Sequence, residues 1–384
     1  MQLLLESLFN GVAIGSVLLM AALGLAIVFG LMGVINLAHG ELIMLGAYTT
    51  YVVQLIFKLP ALQSIYNLYV LVAIPLAFLV SAVVGILLER TVIRRLYGNP
   101  LETLLATWGV SLILQQFVRT VPLAHAAGLM LALGLGFGLP LVLPVHLLAG
   151  PRARLVRAGC WAGSALAGVV LAGGLASQIS RIARATSRNV DVTAPQWMRG
   201  GIELVDLTFP VPRLVIIAMT VVAVLGVTWF LNGSVWGMRI RAVTQNRSMS
   251  DCLGIPTDTV DVLTFGIGSG LAGVAGVAVS LLGSVGPNVG GSYIVGCFMV
   301  VVLGGVGNLV GTVLASFAIG WLTDLIGAGR LLTIWPAMPA SLAATVKFFA
   351  TTSMAQVMVF ALIVAFLQFR PAGLFPQKGR MVEA

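Results

Sequence analysis

Charge is what this sequence has least of. Of its 384 residues, 21 are Lys or Arg and 12 are Asp or Glu, together 9% of the chain. A surface facing water usually needs about 25%. The deficit excludes an ordinary cytosolic enzyme, a nucleic-acid binder with a basic surface and a disordered chain. Lysine is nearly missing: Lys58, Lys347 and Lys378 are the whole supply, and none sits in a glycine-rich phosphate loop of the G-x-x-x-x-G-K-[ST] type. HExxH and GxSxG patterns are absent too. The three histidines (His39, His125, His146) are scattered, so no metal site is expected. Cys160, Cys252 and Cys297 lie far apart without ligand spacing and read as packing residues, neither disulfides nor metal ligands.

Apolar residues fill the space that charge leaves. They make up 59% of the chain, and the mean hydropathy is +1.07. Glycine occurs 45 times, against about 27 expected at the usual share of roughly 7%. Such enrichment suits close-packed membrane helices. The expected fold is an all-α, polytopic transmembrane bundle. The first residues, MQLLLESLFNGV, carry no positive n-region and no clear cleavage site, so their apolar run is read as a retained helix.

About 20 apolar residues span a bilayer as a helix. Good candidates run over 8–32, 68–88, 129–149, 158–177, 214–231 and 262–284; shorter or more polar ones over 37–57, 103–118, 293–306, 309–322 and 354–369. This predicts about 8–11 embedded segments, some discontinuous or re-entrant. The net charge of +9 resides mostly between these runs, where it sets topology. Arg90, Arg94 and Arg95; Arg152, Arg154 and Arg157; Arg239, Arg241 and Arg247; and Arg370, Lys378 and Arg380 can all lie in the cytoplasm, with the N-terminus outside. Arg181, Arg184 and Arg188 then fall outside, as the basic face of an interfacial helix.

Two places break the apolar pattern with glycine and polar residues. Val34 to Glu41 inserts Asn36, His39 and Glu41 between two runs, and Gly304-Gly305-Val306-Gly307-Asn308 does the same later. Broken helices are tolerated at membrane depth only where they line a cavity or are buried in protein. The first group is therefore either part of a polar path or a capped cytoplasmic turn. Thr103, Thr107, Ser111 and Gln115 recur every fourth residue and form one helical stripe. They too have two readings, a path for a small polar solute or interhelical hydrogen-bond glue. Gly266 with Gly270, and Gly307 with Gly311, are small-xxx-small pairs that favour close helix contact.

The longest polar stretch on the inferred inner side is MRIRAVTQNRSMSDCLGIPTDTVD, residues 238–261. Ala242, Met249, Leu253 and Ile255 give it a short helical pattern, closed by Gly254 and Pro256. It reads as a docking surface for a soluble partner or as an interfacial anchor.

Several of these stretches are similar to a known family. GLAIVFGLMGVINLAHGELIMLGAYTTYVV (24–53) resembles the permease subunits of branched-chain amino acid ABC importers. LETLLATWGVSLILQQFVRT (101–120) and RAVTQNRSM with LGI (241–255) look more like the urea-transporting branch, and FRPAGLFPQKGR resembles the family's C-terminal stop. The resemblance covers residues 1–119, 188–323 and 354–380. It implies a single permease transmembrane domain over 1–384, with an atypical inserted transmembrane hairpin at 120–187 and a weaker departure at 324–353. It also implies a multi-pass protein of the bacterial inner (plasma) membrane, without an ATPase site or cofactor of its own. Its implied partners are a second related permease subunit, two cytoplasmic ATPase subunits that bind ATP, a periplasmic substrate-binding protein and membrane lipid, but no nucleic acid. Arg241, Gln245, Asn246, Gly254 and Ile255 match the family's ATPase-coupling segment. The expected solute is urea or a close small amide, as the urea-type stretches imply; a zwitterion would need both charges compensated, and sparse embedded charge points the same way. A branched-chain amino acid permease is the alternative, and a stand-alone channel or secondary transporter is the alternative of another class.

Overall fold

The computed structural model describes residues 2–60, 62–120, 128, 159–160, 162–170, 173, 189–204, 207–330, 350–371 and 373–375. Within the 120–187 insert, residues 120, 128, 159–160, 162–170 and 173 are helical; the rest of the expected hairpin lies outside the described residues, as do Arg152, Arg154, Arg157, Arg181, Arg184, Arg188, Lys378 and Arg380. Eleven named helices occur among the described residues: α1 Gln2–Met32, α2 His39–Phe57, α3 Tyr69–Thr91, α4 Pro100–Thr120, α5 Val211–Gly233, α6 Val235–Gln245, α7 Arg247–Cys252, α8 Thr257–Leu282, α9 Val289–Gly304, α10 Leu309–Gly327 and α11 Thr352–Phe369. Seven are long and apolar enough to cross a membrane, and α9 and α11 are shorter apolar helices. The all-α expectation holds, with one addition. A two-stranded antiparallel hairpin, β1 Gly201–Leu204 and β2 Leu207–Pro210, pairs Ile202 with Phe209.

The chain divides into two compact units. The first comprises 1–35, 196–264 and 292–384. Its centre is α1 packed antiparallel on α10. Gly11 sits against Trp321 and Gly15 against Phe317, and Gly320 abuts the backbone of Gly11 and Gly15. Lipid tails are as apolar as leucine and give no hydrophobic drive for association, so close backbone approach through small residues supplies the packing. α5 joins through Thr220, whose hydroxyl donates to the Ser16 carbonyl at 3.2 Å. At one end of this pair, Asp324 accepts from Ser7 at 2.8 Å and pairs with Arg330 at 3.2 Å, and Arg330 also pairs with Glu6 at 3.3 Å. A cation flanked by two carboxylates thus ties α10 to α1. The C-terminal segment closes the unit where the Leu374 amide donates to the Leu303 carbonyl at 2.8 Å.

The second unit comprises 36–195 and 265–291. Here α2 is wedged against α3 and the later turns of α8. A Cβ at Gly46 would lie 2.1 Å from the Gly273 carbonyl oxygen, and one at Gly276 would lie 2.2 Å from that of Ile43. Ser81 of α3 donates to the Leu42 carbonyl at 3.1 Å. At the far end, Gln54 donates to Tyr66 and to the Thr193 carbonyl, both at 2.9 Å, and Tyr69 donates to that same carbonyl at 2.8 Å.

The pattern G-V-x-N-L precedes two helices. Gly33 (φ 70°) leads to Asn36 and α2, and Gly305 (φ 99°) leads to Asn308 and α10. Both helices are 19 residues long. Both Asn side chains accept from a backbone amide of the next turn, of Ala38 at 3.0 Å and of Gly311 at 3.1 Å. The positive φ at each glycine is a conformation that side chains with a Cβ seldom adopt.

Candidate functional site

The site is built on the turn before α2. Asn36, His39 and Glu41 are fully buried, at 0%, 0% and 1% exposure, so the turn is enclosed in protein. Depth follows from the neighbours. Ser81, which bonds Leu42, lies ten residues before the end of α3, about 15 Å along the helix at 1.5 Å per residue. Ser111, which bonds Glu41, lies eleven residues after the start of α4, about 16 Å along it. With an apolar core of about 30 Å, the turn lies about half-way along both neighbouring spans.

The polar stripe of α4 and this turn, read separately from sequence, are one structure. The Leu37 amide donates to the Thr107 hydroxyl at 3.2 Å. Ser111 donates to Glu41 Oε1 at 3.1 Å and Gln115 donates to the same oxygen at 2.7 Å. Thr103 instead serves its own helix start, donating to the Asn99 carbonyl at 2.9 Å and the Leu96 carbonyl at 3.1 Å. Thr103, Thr107 and Ser111 are buried, whereas Leu101, Leu105, Trp108, Leu112 and Ile113 face outward. The helix is inside-out, as a span facing lipid or another apolar surface should be. Glu41 Oε2 and Asn36 Nδ2 have no hydrogen-bond partner among the described residues.

A second helix start meets the first. A Cβ on Gly290, in the opening turn of α9, would lie 2.5 Å from the Gly40 carbonyl oxygen. Arg119, near the end of α4, donates to Asn288 just ahead of α9 at 2.6 Å. The N-termini of α2 and α9 thus converge beside a buried carboxylate. Each N-terminus carries a partial positive charge that favours anions, although the Leu37, Ala38 and Glu41 amides of the first and the Val289 amide of the second are already engaged within the protein. The arrangement offers an acceptor for a cation and a positive dipole field for an anion at one depth. Sequence reading overlooked α9's contribution: Pro287-Asn288-Val289-Gly290 looks like an ordinary helix start, and only tertiary packing brings it to Gly40.

The glycine pairs differ from each other. Gly266 and Gly270 lie on α8 and receive Ile86 and Phe78 of α3. Gly307 is not on a helix face with Gly311. It sits in the turn before α10 at φ 87° and touches Gly30, while Gly311, in the first turn of α10, packs on Gly304. The turn glycine escaped a reading based on i, i+4 spacing because that spacing continued across a helix boundary.

The 238–261 segment forms two short helices. Asn246 separates them and caps α7, accepting from the Met249 amide at 2.9 Å. Arg241 donates to Asn232 at 2.8 Å. Arg241, Gln245 and Asn246 are exposed, and so are the apolar Met249 and Leu253, at 59% and 72%. Gly254 ends α7 at φ 81°, and the Ile255 amide donates back to the Ser250 carbonyl at 3.1 Å. Arg247 ties this segment to α8 through Asp261 at 2.6 Å. Among the described residues no group of His, Cys, Asp and Glu could hold a metal ion.

A multi-pass helical protein with a buried polar turn at mid-span and an exposed double helix between two spans is a membrane transport component. The chain belongs to the family described as "Branched-chain amino acid transport system / permease component", which matches residues 7–367. It is 26% identical over 372 residues to the high-affinity branched-chain amino acid transport system permease protein BraD of Pseudomonas aeruginosa, covering 96% of this chain and 95% of that one. It is 25% identical to the correspondingly described LivH proteins of Salmonella typhimurium and Escherichia coli, covering 96% of this chain and 94% of each. No solved structure matches the chain significantly. The chain is therefore an ABC-type permease component of the bacterial inner membrane and not an enzyme.

Proposed function

We propose that this chain forms half of the membrane pathway of an ATP-driven importer for branched-chain aliphatic amino acids. The observation that carries the reading is the buried Glu41 beside the converging N-termini of α2 and α9. The expectation of urea rested on the urea-type resemblance of 101–120 and 241–255, with sparse embedded charge beside it; in this reading one side chain and two helix ends supply compensation for both ends of a zwitterion. Relatives named for branched-chain amino acid transport support the same shift, and urea receives no corresponding support.

In this reading the solute's ammonium approaches Glu41 Oε2, and its carboxylate faces the positive ends of the α2 and α9 dipoles. Asn36, His39, Thr107, Ser111 and Gln115 hold the turn in place. Thr103 anchors the start of α4. A second permease chain completes the pathway, two cytoplasmic ATPase subunits dock on α6–α7 around Arg241, Gln245, Asn246, Gly254 and Ile255, and a periplasmic binding protein delivers the solute. ATP-driven movement of α6–α7 reaches α8 through the Arg247–Asp261 pair.

The test is uptake of labelled leucine and labelled urea, at low concentration, by cells lacking the chain and by the same cells complemented. Restored leucine uptake that ATP depletion abolishes is the expected result. Restoration of urea alone overturns the substrate; uptake that survives ATP depletion overturns the importer.

A further inference from the structure

Apart from the buried turn, the first unit contains a cavity of about 200 Å³ where the end of α1 meets α6, α7 and the start of α8. Its wall is mixed in a particular way. Leu31, Ile240 and Val243 give an apolar side, Thr264 adds a hydroxyl, and Arg247 and Asp261 stand together as an ion pair at 2.6 Å. Asp261 is 5% exposed and Arg247 42%, so the pair is anchored within the protein at its carboxylate, while the guanidinium reaches the surface and also faces Asp258 at 3.9 Å. By the distribution of arginines (Arg239 and Arg241 on the same segment), this end faces the cytoplasm.

The chemistry of the wall narrows the ligand. A phosphate drawn to Arg247 would meet the Asp261 carboxylate, and a metal cation drawn to Asp261 would meet the guanidinium. A small zwitterion suits both, because its carboxylate can join Arg247 and its ammonium Asp261, each by a charge-assisted hydrogen bond. Size narrows it further: the cavity equals about six or seven waters at roughly 30 Å³ each, a compact solute and not a lipid or nucleotide. The apolar side then takes an aliphatic side chain.

We propose that this cavity is a cytoplasm-facing binding site for a small aliphatic amino acid, separate from the pathway site. The identity of the ligand rests on the branched-chain reading above. Occupancy would wedge α6–α7 against α1 and α8, so accumulated product slows the coupling segment that drives its own import.

The test is equilibrium binding of labelled leucine to the full chain, purified in detergent with its co-purifying subunits and without any binding protein. Three variants are compared with the parent: Asp261→Asn, which keeps shape but removes the ammonium's partner; Val243→Phe, which fills the cavity; and Glu41→Gln, at the other site. Saturable binding that persists in the third, and that on the Glu41→Gln background falls about tenfold or more with either of the first two, as loss of a charged hydrogen bond implies, is expected. Asp261→Asn keeps the test open where Val243→Phe fails to fold, a failure visible as loss of the co-purifying subunits. Absent binding, binding unchanged in both variants, or equal competition by isoamylamine, which lacks the carboxylate, overturns the site. Leucine uptake by complemented cells without such binding leaves the proposed function standing and removes this site. Binding that shows the expected pattern in cells that import only urea does the reverse.

Discussion

Glu41→Gln separates a transport role for the buried turn from a purely structural one. The amide has the shape of the carboxylate, and its oxygen can still accept from Ser111 and Gln115, now 3.1 and 2.7 Å from Glu41 Oε1. Two charge-assisted bonds become neutral ones, roughly half as strong, so the turn should persist at a cost of about 1 kcal/mol. The second oxygen, without a partner among the described residues, becomes an NH2 group. It can no longer accept from an ammonium and presents a donor to it instead. Hydrogen bonds to charged groups contribute about 1.5–3 kcal/mol, which at 1.4 kcal/mol per decade is about a 10- to 150-fold loss in transport efficiency. The assay is the initial rate of labelled leucine uptake against concentration, with the membrane level of the permease measured alongside. Gln115→Ala is the comparison: it leaves the charge and Ser111 in place and should cost less. Wild-type uptake by Glu41→Gln at normal membrane level refutes the ammonium assignment. Disappearance of the variant from the membrane shows the cluster to be interhelical glue alone.

Three further substitutions address the scaffold and its drive. Gly273→Val inserts a branched side chain where even a Cβ would lie 2.2 Å from the Ala77 carbonyl oxygen; overpacking typically costs about 1–3 kcal/mol, and contact with backbone puts this site at the upper end, read as a lower melting temperature in detergent. Gly254→Val places a β-branched residue at φ 81° with no atom within 4 Å of its Cβ. The left-handed conformation costs about 1–2 kcal/mol, so the α7–α8 junction should shift and leucine uptake fall while membrane level holds; unchanged uptake argues against the coupling role. Asp324→Ala removes the more buried of the two carboxylates that pair with Arg330, 12% exposed, among the described residues. Breaking a buried pair from one side costs about 3–5 kcal/mol, and a thermal midpoint equal to the parent's would show the α1–α10 tie to be dispensable.

Much of this protein can be read from its sequence because a bilayer leaves few choices. Runs without charge must be helices, since backbone groups find no other partners in lipid. The boundaries expected for the spans at 8–32, 68–88 and 214–231 accordingly fall within α1, α3 and α5 or within one residue of their ends. The every-fourth spacing of Thr103, Thr107, Ser111 and Gln115 likewise fixed a common stripe, and the glycine-closed polar stretch at 238–261 fixed short helices at an exposed junction. Local periodicity determines these features. It carries no information about what a stripe faces or how deep a turn lies. Only the packing of Ser81 on Leu42 and of Ser111 on Glu41 set that depth, and only the approach of Gly290 to Gly40 joined helix ends some 250 residues apart in sequence. The charge balance that had favoured urea was a count of side chains. Helix ends carry charge as well, and where they converge is decided by tertiary structure.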